Sequence, residues 1–376
     1  MRILFTCGGT AGHINPALGV AGRIRELIPG AEILFVGAED HMETELVPRE
    51  GYPLKTVRIS GFQRSFAPKM MLRNVRAVGR VFSACRLAKK YIKEFQPDVA
   101  VGTGGYVCYP VLKTAASMGV PTAVHESNAV PGLTTKMLEK TVDQIMVGLA
   151  DSRSFYKDPA KVEVTGTPVR VDFRGLDKAR ARRELGLEPD RPVVLAVFGS
   201  LGADYMNRAM RSFIRRMGDG ADFHLIYATG KKYYEHVRKA LADEGLRGPQ
   251  IDVREYIYDM PRVTAAADVI ICRSGASTLS ELTYLGKPAV MVPSPNVVNN
   301  HQEKNARVME KAGAVKMLLE GKFGGDELFD TVAGLLREPA ALERMHRASL
   351  KLGVNDATDR IASIVLGLAE RNGAAP

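Results

Sequence analysis

The chain has 376 residues, a net charge of +10, 45% hydrophobic and 25% charged residues. That is the make-up of a soluble globular protein of roughly two domains, and with no apolar run near about 18 residues no membrane-spanning helix is expected. The four cysteines (Cys7, Cys85, Cys108, Cys272) are scattered with no C-x-x-C pair, which reads as buried free thiols in a reducing cytoplasm.

The first residues read as a strand running straight into a glycine loop, without a basic segment before an apolar core, so no secretory signal is expected. Strand candidates follow at 2–7, 32–36, 98–102, 121–125, 143–147 and 162–165, with helical patterns at 16–28, 70–95, 108–118 and 131–139. A charged stretch, 177–191, reads as a surface helix and turn. Beyond it come strands near 193–197, 223–228, 251–253, 268–272 and 289–292, helices near 204–217, 231–244, 277–285 and 301–312, and a last helix around 357–371. This alternation predicts an α/β protein of two Rossmann-like domains with parallel sheets covered on both faces. The expected division is 1–166 and 167–356, with the last helix able to pack back on the first domain.

One local pattern occurs twice. Ile3-Leu4-Phe5-Thr6 breaks into Gly8-Gly9-Thr10-Ala11-Gly12-His13, and Val193 to Val197 breaks into Gly199-Ser200-Leu201-Gly202-Ala203, each before a helix-like stretch. A buried strand ending in glycines that open a helix presents backbone N–H groups to an anion, and two such domains suggest a cleft between them. A nicotinamide fingerprint, G-x-G-x-x-G, is met by neither loop nor by Gly102-Thr103-Gly104-Gly105-Tyr106-Val107, which argues for phosphate or sugar binding without a dinucleotide.

The most specific stretch is 268–306. A strand ends at Cys272, Arg273-Ser274-Gly275-Ala276-Ser277 turns, and Thr278-Leu279-Ser280-Glu281 begins a helix. Its first turn offers N–H groups and positive dipole potential to a diphosphate, with Ser277 and Thr278 meeting phosphate and Glu281 accepting from the hydroxyls of a ribose. Taken alone, Ser277 and Glu281 read equally well as helix-terminal capping groups.

Charge is concentrated in one place. Residues 61–95 hold nine Lys/Arg against Glu94 alone. Phe62, Phe66, Met70, Met71 and Leu72 interleave there with Lys69, Arg73, Arg76 and Arg80, a pattern suited to an anionic membrane surface. In 78–95, Val78, Val81, Phe82, Cys85, Ala88, Ile92 and Phe95 form one stripe, which reads first as an amphipathic helix packed on a sheet. No nucleic-acid-binding motif accompanies the charge.

Gly8 to Ala17, Gly102 to Tyr106, His125-Glu126-Ser127-Asn128 with Pro131-Gly132-Leu133-Thr134, Thr165-Gly166-Thr167-Pro168-Val169-Arg170 and the 273–306 block occur in order. Together they closely resemble the MurG family of peripheral N-acetylglucosaminyltransferases of bacterial peptidoglycan synthesis. Departures are few: Ala11, Ser127, Thr167, Phe198 and Leu201 replace residues usual in the family. The resemblance implies a GT-B fold and inverting transfer of N-acetylglucosamine from UDP-N-acetylglucosamine to the 4-hydroxyl of MurNAc in undecaprenyl-diphosphate-MurNAc-pentapeptide, at the cytoplasmic face of the cell membrane, with cell-wall or division proteins as further partners. It places the acceptor on the first domain, near Thr10, Ala11, Gly12 and Tyr106. Donor contacts then come from Asn128, Arg170, Ser200, the backbone around Ile257, Ser277, Thr278, Glu281, Gln302 and Asn305.

His13 is the candidate base, its imidazole titrating near neutrality, and Glu126 is the rival. His125, ending an apolar strand, reads as a satisfied buried histidine. No D-x-D is present, so no metal or other cofactor is expected, with backbone N–H groups and a helix dipole carrying the diphosphate charge. Two other classes remain open at this point: another GT-B lipid glycosyltransferase or a UDP-GlcNAc 2-epimerase, and a non-catalytic sugar-nucleotide-binding protein.

Overall fold

The computed structural model describes residues 1–59, 68–199, 202–218, 221–297 and 300–373, with side chains described except at 68–78 and 171. It divides into two compact units, one of Met1–Val171 with Val354–Pro376, the other of Asp172–Gly353. Arg170, assigned by sequence to the second domain, therefore belongs to the first unit.

The first unit runs β1 (Arg2–Thr6), α1 (Ala11–Leu27), β2 (Glu32–Ala38), α2 (Glu43–Arg49), β3 (Leu54–Val57), α3 (Pro68–Phe95), β4 (Val99–Gly102), α4 (Cys108–Ser117), β5 (Thr122–Glu126), α5 (Leu133–Leu138), β6 (Gln144–Val147) and β7 (Val162–Val164). Its strands form one parallel sheet in the order β3-β2-β1-β4-β5-β6-β7. Strands buried on both faces need no polar side, which is why β4 is apolar throughout and β1 is apolar from Ile3 to Phe5. Ile3, Phe5, Val99 and Val101 enter one core with Ile14, Val20 and Ile24 of α1, whereas Leu4, Ala100 and Val124 enter another with Ala84, Ala88, Val111 and Leu138 of α3, α4 and α5.

The second unit runs α6 (Lys178–Glu184), β8 (Val193–Val197), α7 (Asp204–Met217), β9 (His224–Ala228), α8 (Tyr234–Asp243), β10 (Ile251–Arg254), α9 (Met260–Ala266), β11 (Val269–Cys272), α10 (Ala276–Leu285), β12 (Ala289–Met291), α11 (His301–Lys311), β13 (Val315–Met317), α12 (Gly325–Arg337) and α13 (Pro339–Leu352). Its parallel sheet has the order β10-β9-β8-β11-β12-β13. The last helix, α14 (Ala357–Arg371), packs on α1, burying Ile361, Ala362, Val365, Leu368 and Ala369 in the first unit's core. Arg23 pairs with Asp359 at 2.5 Å beside this contact.

Several sequence expectations are corrected. β3, β13, α2, α9, α12 and α13 have no counterpart in the sequence reading. Helix α1 begins at Ala11 rather than 16, with Pro16 inside it; the proline has no N–H to return to the Gly12 carbonyl, yet its fixed φ suits a helix near its start. On α3, Phe82 is 72% exposed and Ala84 takes its place in the core. Arg182 in the stretch read as surface is buried, pairing with Asp268 and donating to the Ala266 carbonyl at 3.1 Å. Cys7, Cys108 and Cys272 are buried, Cys85 half-buried, and burial raises the first three thiols well above their ordinary value.

Candidate functional site

In an open parallel sheet the chain leaves the strand ends on opposite sides of the point where strand order reverses, and a crevice forms there. In the first unit that point lies between β1 and β4, which pair directly through Thr6 and Gly102. The loops after these strands, Gly8–Thr10 and Thr103–Val107, nest against each other. Gly8 N–H donates to the Gly104 carbonyl at 3.3 Å, and a Cβ on Gly105 would lie 2.3 Å from the Gly8 carbonyl oxygen. Only residues without a side chain allow this approach, and Gly104 and Gly105 have φ of +117 and +91, a region that also favours glycine.

His13 is placed by the same nesting. It stands in the first turn of α1, half-buried, with its ring against Gly104, where a Cβ would sit 2.3 Å from Nδ1. Thr103 fixes the backbone beneath it, its hydroxyl donating to the His13 carbonyl at 2.6 Å. Thr10 is the exposed N-cap of α1 with no side-chain capping bond, so the first-turn N–H groups at Ala11 and Gly12 face a helix end that the Thr10 side chain does not close. Tyr106, 47% exposed, follows the second glycine pair. The structure thus brings Thr10, Ala11, Gly12, His13 and Tyr106 together. One residue invisible to the sequence reading belongs with them: the Glu43 carboxylate accepts from Gly9 N–H at 3.0 Å.

Glu126, the rival base, is engaged by its own loop. It is 5% exposed, and its carboxylate accepts four hydrogen bonds: Asn128 N–H at 3.0 Å, Asn128 Nδ2 at 2.9 Å, Gly132 N–H at 2.8 Å and the Thr135 hydroxyl at 2.9 Å. A carboxylate holding its own loop in this way has no lone pair turned to a substrate proton. Asn128 stays half-buried on that loop. His125 is buried beside it; because the Gly166 carbonyl at 2.9 Å can only accept, Nε2 carries the proton and Nδ1 accepts from the Ser127 hydroxyl at 3.2 Å. Burial, and to a lesser degree the nearby His13, lowers its pKa.

In the second unit the reversal lies between β8 and β11, paired from Val194 to Val197 with Val269 to Cys272. Gly199 and Gly202 both have positive φ, and Gly202 N–H donates to the Gly199 carbonyl at 3.0 Å; Ser200 lies outside the described residues. The neighbouring turn after β11 is braced from its sides. Ser274 Oγ donates to the Gln302 carbonyl at 2.8 Å, Asn305 Nδ2 donates to the Ser274 carbonyl at 3.1 Å, and Arg273 donates to the Val292 carbonyl at 3.0 Å while pairing with Glu320 at 2.5 Å. Helix α10 then starts at an uncapped Gly275. The Ser277 hydroxyl in its first turn is buried with no hydrogen-bond partner among the described residues. Thr278 and Glu281 follow, half-buried, on the next part of the helix.

Two of the expected donor contacts are engaged within the fold. Asn305 has 0% exposure and holds the turn through the Ser274 carbonyl. Gln302 Oε1 already accepts from Ser294 N–H at 2.9 Å, leaving Nε2 as the end that can reach out. Ile257 is buried in the β10–α9 loop, between Tyr256 and the 71% exposed Tyr258, whose rings meet edge-on at 4.8 Å. Arg170 is exposed. Of the expected membrane contacts, Phe62 and Phe66 lie outside the described residues. Lys69, Met70, Met71, Leu72, Arg73 and Arg76 are described as helical backbone alone, and Arg80 is exposed on α3.

Residues 3–147 match the glycosyltransferase family 28 N-terminal domain and residues 193–361 the glycosyltransferase family 28 C-terminal domain. The chain is 40% identical, over 100% of both chains, to the UDP-N-acetylglucosamine--N-acetylmuramyl-(pentapeptide) pyrophosphoryl-undecaprenol N-acetylglucosamine transferase of Acetivibrio thermocellus. It is 38% identical to the protein of that name from Alkaliphilus oremlandii, over 99% of this chain and 100% of the other. The crystal structure of Acinetobacter baumannii MurG matches with a TM-score of 0.73 at 25% identity, over 97% of this chain and 99% of that one. The two Rossmann-like units are accordingly those of a GT-B glycosyltransferase. With identity of this order along the whole chain, and a glycine-built crevice in each unit, the protein belongs to the family of UDP-N-acetylglucosamine--N-acetylmuramyl-(pentapeptide) pyrophosphoryl-undecaprenol N-acetylglucosamine transferases.

Proposed function

We infer that this chain is an N-acetylglucosaminyltransferase of peptidoglycan synthesis, moving N-acetylglucosamine from UDP-N-acetylglucosamine to undecaprenyl-diphosphate-linked MurNAc-pentapeptide. The observation that carries the reading is the 40% identity over the full length of a transferase so named. In the reaction the MurNAc 4-hydroxyl attacks the anomeric carbon, the bond from that carbon to the UDP oxygen breaks, and configuration inverts. The hydroxyl proton passes to a base and UDP leaves as the anion. His13 is that base in our reading: it is half-buried at the crevice, and Glu126 is committed to its loop. Thr10, Ala11, Gly12 and Tyr106 receive the acceptor. Ser277, Thr278 and the first-turn N–H groups of α10 receive the donor diphosphate, with Glu281 on the ribose, Gln302 donating to the sugar, and Arg170, Asn128, Ser200 and the Ile257 backbone as further contacts. No metal takes part in this mechanism; the helix end carries the leaving-group charge.

Incubation with labelled UDP-N-acetylglucosamine and a lipid-linked MurNAc-pentapeptide, with and without EDTA, tests both parts. Absence of disaccharide product rejects the activity, and loss of product on adding EDTA rejects the metal-free mechanism.

Peripheral attachment to an anionic membrane is the second element of the proposal. Helices α3, α4 and α5 pack in sequence over one face of the first unit's sheet. That layer exposes Arg80, Arg86, Lys89, Lys113, Lys136 and Lys140, and between them the apolar Phe82, Leu133 and Met137. Cations around exposed apolar side chains suit the headgroup region of anionic lipid. No helix among the described residues is long and apolar enough to cross a membrane. Replacing Arg80, Arg86 and Lys89 together by Gln is expected to weaken binding to phosphatidylglycerol vesicles on the order of a hundredfold, at about 1 kcal/mol per cation, with KM for UDP-N-acetylglucosamine unchanged. Equal vesicle binding by variant and parent rejects the attachment surface.

A further inference from the structure

Glu43 is the buried acid that the mechanism above does not use. It opens α2, has 0% exposure, and lies far in sequence from the loop it touches. Its Oε2 accepts from Gly9 N–H at 3.0 Å and its Oε1 from Ala38 N–H at 2.9 Å. The carboxylate thereby ties the end of β2 to the loop after β1. Two glycines make room for it: a Cβ on Gly8 would lie 2.3 Å from Glu43 Oε1, and a Cβ on Gly37 2.6 Å from Glu43 Cγ. A buried carboxylate is costly unless its oxygens are hydrogen-bonded, and here both are bonded to backbone. A hydrophobic side chain of similar size would fill the space without that cost, so the acid is explained by what its two bonds hold in place.

What they hold is the glycine loop. With Gly8 N–H given to the Gly104 carbonyl and Gly9 N–H given to Glu43, the first two amides of the loop are closed to any ligand. The amides that remain for an anion are those of Thr10, Ala11 and Gly12, immediately before His13, whose own N–H is given to the Thr10 carbonyl. We propose that Glu43 is a positioning residue for acceptor recognition: it fixes the Gly8–Gly12 loop so that the start of α1 meets the acceptor's diphosphate while His13 meets its hydroxyl. This rests on the reading of the first unit as the acceptor side.

The test is Glu43→Gln in the full chain. The amide keeps the shape and one carbonyl oxygen but turns an N–H toward one of the two backbone donors. KM for the lipid-linked MurNAc-pentapeptide is expected to rise at least about tenfold, the loss of one hydrogen bond to a charged group, with KM for UDP-N-acetylglucosamine within about twofold of the parent. Glu43→Asp, which keeps the charge but shortens the reach, is expected to fall between parent and Glu43→Gln. Unchanged constants for both substrates, or an equal rise in both, overturn the proposal, since a purely structural acid would not separate them. Binding of a short-chain polyprenyl diphosphate supplies a readout independent of turnover: the parent binds and Glu43→Gln binds at least about tenfold more weakly. A parent that binds this probe but makes no disaccharide removes the transferase reading and leaves the positioning role standing; a parent that does not bind it removes the positioning role.

Discussion

The glycine loop after β1 and the turn after β11 each border the point where strand order reverses in their unit, on opposite sides of it, and they are held in different ways. The first is closed from behind, its leading amides taken by the Gly104 carbonyl and by Glu43, and its neighbour Gly104 left bare so that the His13 ring can rest on it. The second is braced from its flanks by Asn305, Gln302 and Arg273, while the helix it opens is uncapped and the Ser277 hydroxyl has no partner among the described residues. The difference teaches that one kind of crevice can be framed in two ways. In the first unit glycine brings backbone segments into contact and seats the His13 ring. In the second the turn is fixed by side chains from neighbouring elements, while both helices start without a side-chain cap.

The largest effects should come from the first crevice. His13→Ala is expected to lower kcat by about 10²–10⁴ with KM for UDP-N-acetylglucosamine near the parent value, the range of a lost general base. Gly104→Ala, which drives a methyl into the His13 ring and strains a φ of +117, should lower kcat by at least about tenfold although it removes no functional group. Steady-state kinetics with both substrates checks each; an unchanged kcat in either variant breaks the assignment of chemistry to this loop.

An intermediate effect is expected in the second crevice. Ser277→Ala should raise KM for UDP-N-acetylglucosamine about threefold to tenfold, the worth of one hydrogen bond, and leave kcat within about twofold. Because the hydroxyl has no partner among the described residues, thermal stability should not fall. A loss of stability with no change in KM would make Ser277 part of the frame, and the contrast between the two crevices would weaken.

The smallest effect concerns His125, behind the first crevice. Burial lowers its pKa, so the folded chain binds fewer protons there than the unfolded one. Its contribution to stability is present above the ordinary histidine value of about 6.5 and is lost as pH falls below it toward the lowered folded value. The thermal midpoint of the parent should therefore drop more steeply from about pH 6.5 to pH 5 than that of His125→Gln. Parallel curves would show that this histidine is not the acid-sensitive element of the first unit.

Much of this was legible along the chain. β8 and β11 are unbroken apolar runs, and β1 is apolar from Ile3 to Phe5, because both faces of each sheet are covered, and α14 could be placed to its ends, 357–371, from its apolar period. His125 follows from an imidazole at the end of a buried strand. The edge strands β3 and β13 were not legible, being short and carrying Lys55 and Lys316. Nor was the division of labour among acids. Glu126 reads as a base from its neighbours in sequence, and becomes a loop anchor once Gly132 and Thr135 close on it. Asn305 reads as a ligand contact and becomes a buried brace once α11 lies against the turn after β11.

The two glycine motifs of the second unit give the same lesson. In sequence, 199–203 and 273–277 look like rival phosphate sites far apart; in the sheet, β8 and β11 are paired neighbours, and both loops border one crevice. The sequence by itself determined the alternation of strand and helix, the positions where bare backbone opens a helix, the family and the candidate base, since each depends on residue type and local spacing. Tertiary structure alone decided which amides are already spent, which acid is buried behind the first loop and that the Ser277 hydroxyl has no partner among the described residues. Those are matters of hydrogen bonds between groups tens of residues apart, and no local pattern fixes them until the strands have paired.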